Sequence, residues 1–222
     1  LDAVDWVEHT VTTELNGACD NPLWFDGEGV VEGGNFHGAP VALAMDTLRV
    51  ALTQVATLSE RRTFRLTAAN LNGDLPSFLV EGTGLNSGFM LAQYTAASLA
   101  SECKGLAHPA SVDTIPTVQH HEDHVSMGPI AARLALRVLE NVADIVGIEL
   151  LLGAQALDWR LRGVCFADGE RQHVPPEVPP PGIAGIHAEV REVVPFWTDD
   201  QLMHPALMAV GKLARTPSPR AR

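Results

Sequence analysis

Apolar residues fall at helical spacing from the start of the chain. Val4, Val7, Val11 and Leu15 mark one face of a helix over residues 1–17 that ends at Gly17. Asp20-Asn21-Pro22-Leu23 breaks it, because proline disfavours a helical residue before it. Residues 23–37 carry Gly27, Gly29, Gly33 and Gly34 and are expected to form a short hairpin or open loop. A second helix is predicted from Pro40, a residue suited to a first turn, to about Arg65. Along it Val41, Met45, Leu48, Leu52 and Val55 alternate spacings of four and three. That is the seam of a helix packed nearly parallel to a neighbour, with Asp46, Arg49, Thr53 and Glu60 off the seam.

A third helix, about Asn86 to Leu106, is apolar or small nearly all round and is expected to be central, with Ala92, Ala96, Ala97 and Ala100 allowing close approach. Residues 82–101 carry no charge over about the length of a membrane span, but Asn86, Gln93, Tyr94 and the hydroxyl residues make it a helix buried in protein, not in a membrane. A fourth helix is predicted from Ser126, its cap, to Leu161, with a bend at Gly147 or Gly153. The expected fold class is therefore all-α, of long near-parallel helices. Residues 1–165 form the helical core, 166–182 a Pro-rich strap, 183–213 C-terminal helices interrupted by Pro195, and 214–222 a basic, disordered tail.

Composition narrows the function. Hydrophobic residues are 46% of the 222, enough for a sizeable core, and aromatics only 5%. A formal charge of −12 repels phosphate backbones, so no nucleic-acid partner is expected. Cys19, Cys103 and Cys165 are odd in number and widely spaced, as suits reduced thiols in a cytoplasmic protein, and no signal peptide is visible.

The densest chemistry is His120-His121-Glu122-Asp123-His124, between a Pro-containing loop and the fourth helix. Imidazoles and carboxylates suit zinc or iron, which makes a metal hydrolase using His120, Glu122 and His124 one hypothesis. Yet His121-Glu122-Asp123-His124 is one residue short of the helical His-Glu-x-x-His motif, and no metal site is assigned. Asp123 and His124 are expected to brace the fourth helix. Glu122, on a loop between apolar helices, is expected to be desolvated, hence a usable base or a partner for a cation. Gly33-Gly34-Asn35-Phe36-His37-Gly38 allows close backbone approach but has no dinucleotide fingerprint spacing. In Asn86-Ser87-Gly88-Phe89-Met90, Asn86 is a candidate cap and Met90 a core filler. Leu58-Ser59-Glu60-Arg61-Arg62 is expected to be a solvated or interface charge cluster.

These segments, with Asp20-Asn21-Pro22-Leu23, Leu99-Ala100-Ser101-Glu102, His108-Pro109-Ala110-Ser111-Val112-Asp113 and Glu122-Asp123-His124-Val125-Ser126-Met127-Gly128, follow one another as in a known family. The chain resembles the aromatic amino acid ammonia-lyases, most closely the histidine ammonia-lyase branch, over about residues 1–162 and more weakly over 190–213. The resemblance implies a tetrameric helical core. It also implies elimination of ammonia from an aromatic amino acid, or its migration in related aminomutases, by a methylidene-imidazolone (MIO) electrophile formed from Ala-Ser-Gly. By position it places Phe36, Met90 and His121 in the substrate pocket and makes Glu122 catalytic. Met90 with Glu122 resembles the histidine branch. His121 departs from it, since glutamine is usual there, and leaves histidine-like and tyrosine-like substrates open.

Ala-Ser-Gly occurs nowhere in this chain, nor does the family's tyrosine-bearing loop. The resemblance covers the C-terminal half of the family, and the sequence begins without methionine. The expectation is a subunit of a split lyase or aminomutase, its MIO carried by a second polypeptide in a heterotetramer or larger assembly. A fragment of a longer product, and a non-catalytic scaffold or regulatory subunit that binds a full-length homologue, are the alternatives.

Overall fold

The computed structural model describes residues 1–216. Six helices dominate it: α1 (Asp2–Asn16), α2 (Ala39–Thr67), α3 (Met90–Leu106), α4 (Gly128–Leu161), α5 (Pro181–Val193) and α6 (Met203–Ala214). Two antiparallel hairpins complete it: β1 (Leu23–Phe25) with β2 (Gly29–Val31), and β3 (Val164–Ala167) with β4 (Glu170–His173). The all-α expectation holds, and so does the hairpin near residues 23–37. The chain divides into two compact units, one of residues 1–54 and 103–140, the other of residues 55–102 and from 141 onward. These units interleave in sequence. The tail expected to be disordered lies, from residue 217, outside the described residues.

In the first unit, α1 buries Val7 alone of its predicted stripe, and Val4 and Leu15 are exposed. The first half of α2 buries Ala42, Ala44, Asp46 and Arg49. Arg49 pairs with Asp46 and donates to the Leu106 carbonyl, and the second Asp46 oxygen accepts the Ser111 amide at 2.7 Å. The predicted seam is therefore displaced. From Ala42 the inner face runs through Asp46, Arg49, Ala56, Glu60, Thr63 and Thr67, in steps of three and four with half-buried Thr53 between. Val41, Met45, Leu48 and Leu52 are only half-buried, and Val55 is exposed. The reason is local: small and polar side chains let α2 approach the other helices of this chain and hydrogen-bond their carbonyls. Thr53 Oγ1 donates to Cys103 O at 3.4 Å in the first unit, and Ser59 Oγ to Ile145 O at 3.5 Å in the second.

The core of the second unit centres on Trp159, whose Nε1 donates to Leu79 O at 3.0 Å and whose ring meets Phe166 and Phe196 edge-on. The Leu58–Arg62 segment is not a solvated cluster. Ser59 and Glu60 are buried, and only its arginines and Leu58 reach solvent. Helix α3 starts at Met90, later than expected, because Asn86 is spent on a turn. Its amide donates to Gly82 O, and its side chain donates to Glu81 O at 2.9 Å instead of capping. Helix α4 continues through Gly147 and Gly153 as one element. Gly147 serves packing: a Cβ there would lie 2.7 Å from the Val210 carbonyl oxygen of α6. The second hairpin occupies much of the expected strap, leaving residues 174–180 as its extended part.

One helix among the described residues, α2, is long and apolar enough to cross a membrane; its most apolar 18-residue window has a mean hydropathy of 1.3 and is 28% buried. The buried Asp46–Arg49 pair on its inner face is a feature of packing against protein.

Candidate active site

Two distant segments build one recess in the first unit. The loop after β2 delivers Phe36 and His37, and the loop before α4 delivers Glu122, Val125, Ser126 and Met127; with Pro129 and Ile130 they line a cavity of about 440 Å³. The Phe36 loop is tethered on both sides. Asn35 Nδ2 donates to Glu14 Oε1 at 3.1 Å, and the His37 carbonyl accepts the buried Ser126 hydroxyl at 2.6 Å. The Ser126 oxygen also accepts the Gly128 amide at 3.3 Å, so this residue, two positions ahead of α4 and not at its first turn as expected, satisfies the first helical amide and joins the two loops. Rings add to the joint: Phe36 and His37 lie 4.5 Å apart, and His37 meets His124 edge-on at 5.6 Å.

Glu122 is presented by a tight loop. The Thr117 amide donates to Glu122 O at 2.9 Å and the Glu122 amide to Thr117 O at 3.4 Å, closing residues 118–121 between them. Val118, Gln119 and His120 have φ of 49°, 54° and 69°, a left-handed run that L side chains rarely adopt and that clusters at functional sites. The Thr117 hydroxyl donates to Glu122 Oε2 at 2.8 Å, and Oε1 accepts no hydrogen bond among the described residues. The desolvation expected of Glu122 is absent: its side chain is exposed on the open side of the recess.

Sequence-predicted residues divide accordingly. Phe36 and Glu122 are brought together. His121 is exposed and does not line the recess. Met90 belongs to the second unit, half-buried at the start of α3. Among the described residues no three His, Cys, Asp or Glu side chains are placed to hold an ion, so His120, Glu122 and His124 are not gathered as metal ligands. Thr117 and the inter-loop role of Ser126 escape sequence reasoning. The only signal for Thr117 is a hydroxyl just after Pro116, five residues before the carboxylate.

A family model for aromatic amino acid lyases matches residues 1–192. The chain belongs to the aromatic amino acid lyase family. It is 59% identical over 160 residues to the histidine ammonia-lyase of Caldanaerobacter subterraneus subsp. tengcongensis, covering 72% of this chain and 31% of that one. It superposes on the crystal structure of histidine ammonia-lyase from Trypanosoma cruzi with TM-score 0.85 and 42% identity, covering 96% of this chain and 40% of the other. Tyrosine aminomutase from Streptomyces globisporus gives TM-score 0.85 and 39% identity, over 96% and 38%. This aromatic amino acid lyase chain thus spans between about a third and two fifths of the length of these relatives. The family fold therefore supplies the frame in which the Phe36–Glu122 recess is built.

Proposed function

We propose that this chain forms one wall of the active site of an ammonia-lyase or aminomutase acting on an aromatic amino acid, completed by a partner polypeptide that carries Ala-Ser-Gly. The observation that carries the reading is the recess in which Phe36 and Glu122 meet. It offers a ring, a carboxylate and a thioether but no electrophile, and the 222 residues hold no Ala-Ser-Gly from which MIO forms. Such a donor set fits a wall that faces the electrophile, not its source. MIO, when supplied by the partner, provides the electrophilic activation that the amine needs to leave.

The work of this chain is binding and proton handling. The half-exposed Phe36 ring packs against the substrate ring, an offset or edge contact. Glu122, held by Thr117 through Oε2, keeps Oε1 for the substrate's ammonium or for an N–H or O–H on its side chain. A carboxylate there favours donor-bearing rings, imidazole or phenol, over bare phenyl; histidine ammonia-lyases and a tyrosine aminomutase among the relatives support that class. Met90 and His121, neither of which lines this recess, are assigned to substrate binding by their place in the family pattern alone, and covering of the recess by the partner excludes water from Glu122. The assembly is a cytoplasmic heterotetramer or larger, consistent with the large apolar side chains left exposed, Leu58, Leu91 and Leu136 among them.

Co-expression with a polypeptide bearing the Ala-Ser-Gly half, followed by co-purification and assay of arylacrylate formation and amine migration, tests this reading. Glu122→Gln is expected to lower turnover in that complex by about 10²-fold or more. Unchanged turnover would remove Glu122 from catalysis and leave this chain a scaffold.

A further inference from the structure

The turn that carries Met90 is fixed by a segment far along the chain. The Ser87 and Gly88 amides donate to Asp200 Oδ1 at 3.0 and 2.6 Å, and Ser87 is also 3.1 Å from Oδ2. The next residue, Phe89, is fully buried and stacks on Trp197, with ring centroids 5.0 Å apart and planes 18° from parallel. Trp197 is itself anchored. Gln155 Nε2 donates to Trp197 O at 2.7 Å and to Leu79 O at 3.0 Å, and its Oε1 accepts the Trp197 amide at 3.3 Å. Arg191 ties the same stretch down, donating to Val194 O at 3.0 Å, to Pro195 O at 3.1 Å and to Asp158 at 2.6 Å. On the other side the turn abuts backbone: a Cβ on Gly88, whose φ is 46°, would lie 2.5 Å from Phe78 O. Met90 and Asp200 line one recess of about 270 Å³ with Ser87, Gly88, Leu91 and Met203.

We propose that Asp200 is a positioning residue for Met90, which makes the α5–α6 connection part of substrate discrimination. This rests on the reading that Met90 lines the substrate pocket. Amides just ahead of a helix have no partner within it, and a carboxylate that accepts two of them is a strong, charge-assisted clamp. Released, the turn moves, and with it the side chain one residue beyond Phe89; displacements of about 1 Å are enough to matter in a pocket. Asp200 and Trp197 both lie beyond residue 192, where the family match ends.

Asp200→Ala and Asp200→Asn, made in the complex with the Ala-Ser-Gly partner, test the assignment with histidine and tyrosine as substrates. Two measurements are needed: amide hydrogen exchange at Ser87 and Gly88, and KM and kcat separately. Asp200→Ala is expected to speed exchange at those two amides about tenfold or more. It should raise KM severalfold while kcat stays within about twofold. Asp200→Asn, which keeps an acceptor oxygen, should recover part of both effects. Unaltered exchange overturns the clamp. Faster exchange with unaltered KM overturns the functional role. Exchange raised throughout the chain, with kcat collapsing, means general structural damage and overturns it too. A wild-type complex that turns over neither amino acid removes the proposed function and this assignment together, whereas an active wild type with an indifferent Asp200→Ala removes this assignment alone.

Discussion

Glu60 is 4% exposed, yet burial does not raise its carboxyl above the ordinary value. Hydrogen bonds from Arg61 at 2.6 and 2.8 Å outweigh the cost of burial and, with Gln93 Nε2 at 3.0 Å and the guanidinium charge, hold its carboxyl below the ordinary glutamate value. A carboxyl depressed in the folded state adds stability that is complete above its unfolded value and lost as pH falls through the folded one. Arg61 is largely solvent-exposed, so screening limits the gain. Glu60→Gln is expected to lower the urea midpoint at neutral pH and to flatten its decline toward about pH 3; an equally steep decline would show the acid limb to belong to other groups. At this scale the sequence is only partly legible. Clustering in the chain brings out Glu122, and the family resemblance brings out Phe36, but the Thr117 hydroxyl on Glu122 and the Asp200 carboxylate on Gly88 depend on loop closures that no spacing encodes. The burial of Glu60 was equally hidden, since a charge run looks the same whether its first member faces water or a neighbouring helix.

Among the elements, α4 makes the sharpest test because two of its glycines have opposite surroundings. A Cβ on Gly147 would meet only backbone, 2.7 Å from Val210 O, 2.8 Å from Val210 C and 2.9 Å from Gly211 N, whereas nothing lies within 4 Å of one on Gly153. Gly147→Ala should therefore lose ~1–3 kcal/mol to overpacking, exceeding the helix propensity gained. Gly153→Ala should gain up to ~1 kcal/mol from propensity alone. Thermal unfolding of the two variants, expected to shift in opposite directions, checks this. Helix extents are well foretold by caps and period: α2 and α4 end within a few residues of their predicted limits. Which stripe of α2 turns inward is not, because hydrophobic periodicity identifies a face that seeks burial without saying whether the covering atoms belong to the same polypeptide.

For the molecule as a whole, the exposed apolar residues carry the consequence. Leu58, Leu91 and Leu136 are 60%, 60% and 58% exposed, and Leu43, Val50 and Leu139 are also open. On the proposed assembly, the chain alone should bind a hydrophobic reporter dye strongly and self-associate, and addition of a polypeptide bearing the Ala-Ser-Gly half should suppress both. Dye fluorescence unaffected by that addition would count against the assembly. The all-α class is legible in the sequence because the helices are long and well punctuated. The interleaved two-unit division is not, since it arises from contacts between residues distant along the chain.

The displaced seam of α2 constrains how this chain can change. Each residue added to an α-helix turns everything after it by about 100°. A single insertion or deletion between Asp46 and Arg49 would swing one of these buried ions outward and break the pairing that holds the Leu106 carbonyl and the Ser111 amide. Length variation in this helix is therefore confined to steps near whole turns, such as seven or eleven residues. Its polar inner face works as a ruler, locking the register of the polypeptide that leads to the Glu122 loop.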